Sequence, residues 1–509
     1  MKKLIFTIVT LLACSALSAQ DDDWTNKVRE SEENARNAFE EYRRNAIKEF
    51  EDNRAKILKE FEEFRRKANE EFAMFMKNPW TEFKPKPVEV APIKPKPVKP
   101  IVYEPSPIEP RPNEPVKPHD TPIIFNMKPT APKPVSVPIP VEPDEIKPRP
   151  NEDVMTYHFY GTPMKIHFDS SQSIHLADAT EKSVAATWTQ LSQPYYDNLL
   201  MECLNEKQQK HLCDWAYITL TKRVSETCCG EDTNEATVMH TYLLTQSGYQ
   251  VRIGRADDRL HLLVGSNEVI YGYSYFTING MSFYCFDKLA GSKSMYIFDH
   301  AFPKETTMSL AISQPAFFVA PTDSRTVTSK RYPDVKATVS MNQNLIDFYN
   351  DYPLSSQWTC YSSASLSDVV KSTLYPSLKK AIKGKSETEA VEMLLNFVQT
   401  GFEYQTDDEQ FGYERPLFPD ESFYYPYCDC EDRSILFACM VRELLGLDVV
   451  LLHYPGHLAT AVKFNGNVNG DFLNLIDGRY TVCDPTYIGA SIGMSMPQFK
   501  NVKIEVERF

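Results

Sequence analysis

The chain has 509 residues, 42% of them hydrophobic and 12% aromatic, with a net charge of −14 and a pI near 5.3. That length exceeds one ordinary core, so two or three domains are expected. The acid surplus leaves no basic surface to neutralise phosphates, which excludes nucleic acid as a partner.

Met1-Lys2-Lys3, the apolar run Leu4 to Ala13 and the small residues ending at Ala19 read as a secretory signal peptide over residues 1–19. A secreted, periplasmic or cell-surface protein follows. Leu11-Leu12-Ala13-Cys14 also fits a lipobox loosely, and only lipidation of Cys14 would tie the chain to a membrane. The other ten of the eleven cysteines are scattered in apolar surroundings and read mostly as buried small hydrophobes.

Residues 22–78 predict one long helix with an eleven-residue repeat. Phe39, Phe50, Phe61 and Phe72 share a column, and Tyr42, Asn53, Phe64 and Phe75 share the next. Such a period favours a straight or slightly right-handed supercoil, so a coiled coil self-associating through residues 24–78 is expected to cover the stripe. Residues 79–154 follow as a Lys/Glu/Val-Pro tract in which Ile108-Glu109-Pro110-Arg111-Pro112-Asn113-Glu114 recurs as Ile146-Lys147-Pro148-Arg149-Pro150-Asn151-Glu152. Proline at this density predicts an extended, semi-rigid spacer between rod and globular part.

The globular sequence divides into residues 155–335 and 336–509. In the second half a helix opening at Cys430 ends at Gly446; strands, His457, more strands and Asp484 follow. In the first half a helix ends at Gly248, and strands carry His261 and Asp287 in the same order at a nearly equal separation. The step from Gly446 back to Cys430, repeated from Gly248, lands on Asp232, so a duplicated unit whose first copy lacks the nucleophile is expected. Helices ahead of antiparallel strands give an α+β fold in each half. A thiol at a helix N-terminus is helped toward thiolate, and a histidine and an acid beside it would complete a nucleophile, a base and an orienter.

Asp429-Cys430-Glu431-Asp432 at a helix start, Gly456-His457 at a strand head and Cys483-Asp484-Pro485-Thr486 after a further strand resemble the transglutaminase-like family of papain-related cysteine enzymes. The resemblance implies helices packed on an antiparallel sheet, an acyl-thioester mechanism, and Cys430 as nucleophile, His457 as base and Asp484 as orienter. It departs at Cys428, where the family often has Gly. A protein or peptide substrate is expected, with neither cofactor nor metal. Hydrolysis of an amide and acyl transfer to an amine use the same residues; a non-catalytic scaffold with aromatic clefts is the third reading. Tyr427 and Tyr425 are candidates for the oxyanion or substrate cleft, and Asp232, His261 and Asp287 mark the degenerate site. Three alternatives stay open: His453 as base, a zinc site among Cys428, Cys430, Cys439, His457 and Cys483, and a disulfide from Cys428 to Cys439 or Cys483.

Overall fold

The computed structural model describes residues 22–90, 120–128, 152–287, 289, 294–319, 322–355 and 357–509. The expected signal peptide at residues 1–19, Cys14 and most of the proline tract lie outside the described residues. None of the described helices is long and apolar enough to cross a membrane. The chain divides into two compact units, the first ending at Glu70 and the second running Glu71–Phe509.

The predicted helix is α1, Asp22–Met76. In the first unit it carries exposed Phe39 and Phe64 and an Arg66–Glu70 ion pair at 2.8 Å. Its last turn belongs to the second unit, where Phe72 packs on Trp188 and Phe298 with ring centroids 5.1 and 4.9 Å apart. The helix stops where Pro79 approaches, and the Trp80 indole N–H satisfies the otherwise orphaned Met76 carbonyl at 3.0 Å. Phe72 therefore leaves the stripe that a partner helix would cover and becomes core.

The described pieces of the proline tract are not free spacer. Thr81–Phe83 (β1), Thr121–Pro122 (β2) and Phe125–Met127 (β3) are strands at sheet edges, the one place where a proline costs no ladder bond. The first half opens with the hairpin Asp153–Phe159 (β4) and Thr162–Phe168 (β5). Helices Asp214–Cys229 (α2) and Asn234–Gln246 (α3) follow. Strands Val251–Ala256 (β6), Arg259–Ser266 (β7), Ser274–Ile278 (β8), Met281–Cys285 (β9) and Met295–Phe298 (β10) then form a sheet of order β1-β10-β6-β7-β9-β8.

The second half begins with the hairpin Thr322–Thr328 (β11) and Lys336–Asn342 (β12), so a boundary at residue 335 falls just ahead of β12, in the loop between paired strands. Val327 and Val339 of that hairpin sit in the second half's core, whereas Leu345, Phe348 and Tyr361 beyond it pack into the first. Helix Glu387–Gly401 (α4) starts with the Ser386/Glu389 capping box legible in the sequence. Helix Cys430–Leu445 (α5) ends at Gly446, whose φ of 68° suits the left-handed cap. Strands Val449–Tyr454 (β13), His457–Lys463 (β14), Asp471–Leu475 (β15), Gly478–Cys483 (β16) and Ile504–Glu507 (β17) complete a sheet of order β2-β15-β16-β14-β13-β17-β3. Five strands thus follow one antiparallel order in both halves: β10-β6-β7-β9-β8 in the first, β17-β13-β14-β16-β15 in the second. Each sheet has a helix, α3 or α5, packed on it immediately before its central hairpin.

Candidate functional site

Cys430 is the first residue of α5, capped by Asp429, which exchanges hydrogen bonds with Asp432 in a capping box. Its thiol is 4% exposed, packs among Leu451 and Leu458 with Trp358 and Phe509 against them, and donates to Glu431 Oε2 at 2.9 Å. Acids crowd this helix start. Burial first, then neighbouring carboxylates, pushes the carboxyls of Asp407 and Asp432 well above their usual range. The helix terminus favours a thiolate, and the carboxylate beside it opposes one.

Leu458 leads on to His457, but successive strand residues face opposite sides of a sheet. The His457 ring therefore turns toward Tyr454, its register partner across the hairpin, and stacks on Phe499 with centroids 5.1 Å apart and planes 1° from parallel. His457 Nε2 lies 2.9 Å from Asp484 Oδ2. A carboxylate there accepts, so Nε2 is the donor of this hydrogen bond. Nδ1 is buried and has no hydrogen-bond partner among the described residues. The sequence-predicted His–Asp pair is assembled, and the thiol–imidazole hydrogen bond is not made in this arrangement.

Asp484 is held firmly. Its Oδ1 accepts the N–H groups of Thr486 and Tyr487 at 2.9 and 3.2 Å, which explains the Asp-Pro-Thr turn. Gln399 of α4 donates its side-chain amide to the carbonyls of Asp484, Tyr487 and Ala490 at 3.1, 2.8 and 3.0 Å. Sequence reasoning missed Gln399; a polar residue inside an apolar helix stripe was the available signal. It also missed Tyr404, whose hydroxyl is buried without a hydrogen-bond partner among the described residues and whose acidity is suppressed by burial first, then by the charges of Cys430, Asp429 and Glu431.

The other candidates fall elsewhere. Tyr425 hydrogen-bonds Asn350 through its hydroxyl at 2.7 Å and lies under the Arg415 guanidinium; Tyr427 is 38% exposed and pairs by its backbone with Gln410. His453 shares the helix-facing side with Leu458, but Lys128 Nζ lies 3.3 Å from its Nδ1 and Glu507 Oε2 lies 2.8 Å from its Nε2 without hydrogen-bond alignment. Burial lowers its pKa, with Glu507 pulling the other way. Cys428, Cys439 and Cys483 are free thiols, and no metal-sized cluster among the described residues joins them with His457.

In the first half, His261 Nδ1 lies 3.2 Å from Asp287 Oδ2, and Lys222 Nζ 3.6 Å from Asp287 Oδ1. Asp232 requires a correction. It precedes the cap Thr233, is almost fully exposed and pairs with Arg259. Counting back from the glycine assumed helices of equal length, but α3 has 13 residues and α5 has 16. The residue standing where Cys430 stands is Asn234, which accepts the Leu260 N–H at 2.9 Å. A cavity of about 1020 Å³ is lined from both halves, by Trp215, Lys222 and Asp287 of the first and Tyr349, Arg415 and Phe418 of the second among others. No family model, curated protein or solved structure matches the chain.

Proposed function

We propose that the second half is a transglutaminase-like thiol enzyme of an exported protein, cleaving amide bonds in peptides or proteins through an acyl-thioester. One observation carries this reading: a buried imidazole held by Asp484 through Nε2 has no hydrogen-bond partner at Nδ1 among the described residues, and it sits on the strand that packs against the Cys430 helix, its ring on the face away from that helix. A buried acceptor left unpaired costs about 1–3 kcal/mol, which a proton-transfer role accounts for. In the reaction the His457 ring must first turn to the helix side of the sheet; the thiol then leaves Glu431, gives its proton to Nδ1 and attacks the carbonyl, and the imidazolium protonates the leaving amine. Tyr404 and the Cys430 N–H are the candidate donors to the oxyanion. Water releases the acid, and an amine in its place gives acyl transfer.

A thiol-directed covalent probe tests the reading on the folded full chain. Labelling that disappears in Cys430→Ala and slows in His457→Ala supports it; labelling unchanged by Cys430→Ala would sink it. A binding protein is the second reading, favoured by the burial of the thiol and by cavities of about 1020 and 1290 Å³, neither of which is lined by Cys430 or His457. The exposed Phe39 and Phe64 of α1 make that helix a self-associating stalk, which sedimentation of the full chain against a Phe39→Glu/Phe64→Glu variant checks: equal masses would rule the stalk out.

A further inference from the structure

We infer that the first half holds a site for a zinc-class divalent ion, built from His261, Cys285 and Asp287. This goes beyond the thiol chemistry at Cys430 and does not depend on it. The three residues arrive from neighbouring strands: His261 from β7, Cys285 from the end of β9 and Asp287 two residues on. One nitrogen, one sulfur and one carboxylate oxygen from them lie within 4.8 Å of one another. The spacing suits an ion. Two ligands at about 2.0–2.1 Å in tetrahedral array stand about 3.3 Å apart, and His261 Nδ1 and Asp287 Oδ2 are 3.2 Å apart.

The chemistry suits it too. Imidazole, thiolate and carboxylate are the donors that zinc takes, and three protein ligands leave one position open. A thiolate and a carboxylate together balance the charge of a divalent cation. Lys222 approaches the other oxygen of Asp287, Oδ1, and so leaves Oδ2 to the ion. On binding, the ion takes the Nδ1 lone pair of a neutral imidazole whose one proton is on Nε2, so a proton between Nδ1 and Asp287 Oδ2 passes to solvent, as does the thiol proton of Cys285. Asp287 also lines the cavity of about 1020 Å³, which gives the site an approach from solvent.

The second thiol-containing cluster, Asp429, Cys430 and Glu431, is the poorer host. It sits at a helix N-terminus, where the backbone repels cations, and Asp429 is already spent on the Glu431 N–H at 3.2 Å.

The test titrates the full chain with Zn²⁺, and with Co²⁺ as a coloured substitute. Expected are one retained ion and a thiolate-to-cobalt absorption that Cys285→Ser abolishes, that Asp287→Asn weakens by about 10-fold or more in affinity, and that Cys430→Ser leaves intact. Circular dichroism confirms that each variant is folded; should the buried Cys285→Ser fail, the half-exposed Asp287→Asn decides. No ion retained, affinity unchanged in Asp287→Asn, or absorption lost only in Cys430→Ser overturns the site.

Discussion

The two halves share a five-strand order and a His–Asp pair with a buried histidine, but they use the histidine ring in opposite senses. In the second half the carboxylate takes Nε2 and leaves Nδ1 without a partner; in the first it takes Nδ1, with a lysine beside the acid. The helix starts differ as well, Cys430 against Asn234. One strand order thus holds two different settings of a His–Asp pair, which differ in the ring nitrogen beside the carboxylate and in the residue that opens the helix.

The largest expected effect is the loss of all thiol-probe labelling in Cys430→Ala, while Cys285→Ser in the other half labels as before; mass spectrometry of the labelled peptide reads both. Next, His457→Ala slows labelling about 10²- to 10⁴-fold, whereas His261→Ala does not change the rate. Equal slowing by the two would erase the distinction between the halves. Third, Gln399→Leu strips three buried carbonyls of their donor and lowers stability by about 1–3 kcal/mol or more. A thermal melt measures it, and labelling should fall with it because Asp484 loses its brace.

The smallest effect is one of pH. Burial, with Lys222 adding to it against the pull of Asp287, lowers the pKa of His240 from 6.5 to about 3. The unfolded chain then takes up a proton that the native one refuses, so stability from this residue is present above pH 6.5 and is lost as pH falls toward 3. Between pH 7 and pH 5.5 the loss is about 1 kcal/mol, read as the part of the acid sensitivity that His240→Gln removes. An identical slope in that variant would place the sensitivity elsewhere.

Much of the core layout could be read from the sequence because it is local. A helix, a glycine stop and alternating strands set the order around Cys430, and an acid a fixed distance beyond a histidine on an adjoining strand meets it in both halves. Asn234 was mistaken for Asp232 because helix length depends on packing and on the Thr233 cap rather than on counting from the far end. Tyr404 and Gln399 were invisible because their partners are brought by other segments. The strands β1 to β3 escaped notice because two or three residues beside prolines carry no periodicity; their pairing comes from sheets that the chain completes hundreds of residues later.

Those short strands have a consequence for how the protein is made. Both outer strands of the seven-stranded sheet, β2 and β3, come from residues 121–127, and its inner ones from residues 449–507. During synthesis the borders of this sheet leave the ribosome first and wait, unpaired, for a centre that emerges last. Closure over so long a loop is slow, and until it happens the ladder edges of β15 and β17 are open to neighbouring chains. A gene fragment beginning at residue 336 would keep Cys430, His457 and Asp484 and still lack both borders. It would be expected to aggregate until a peptide spanning residues 120–128 is supplied.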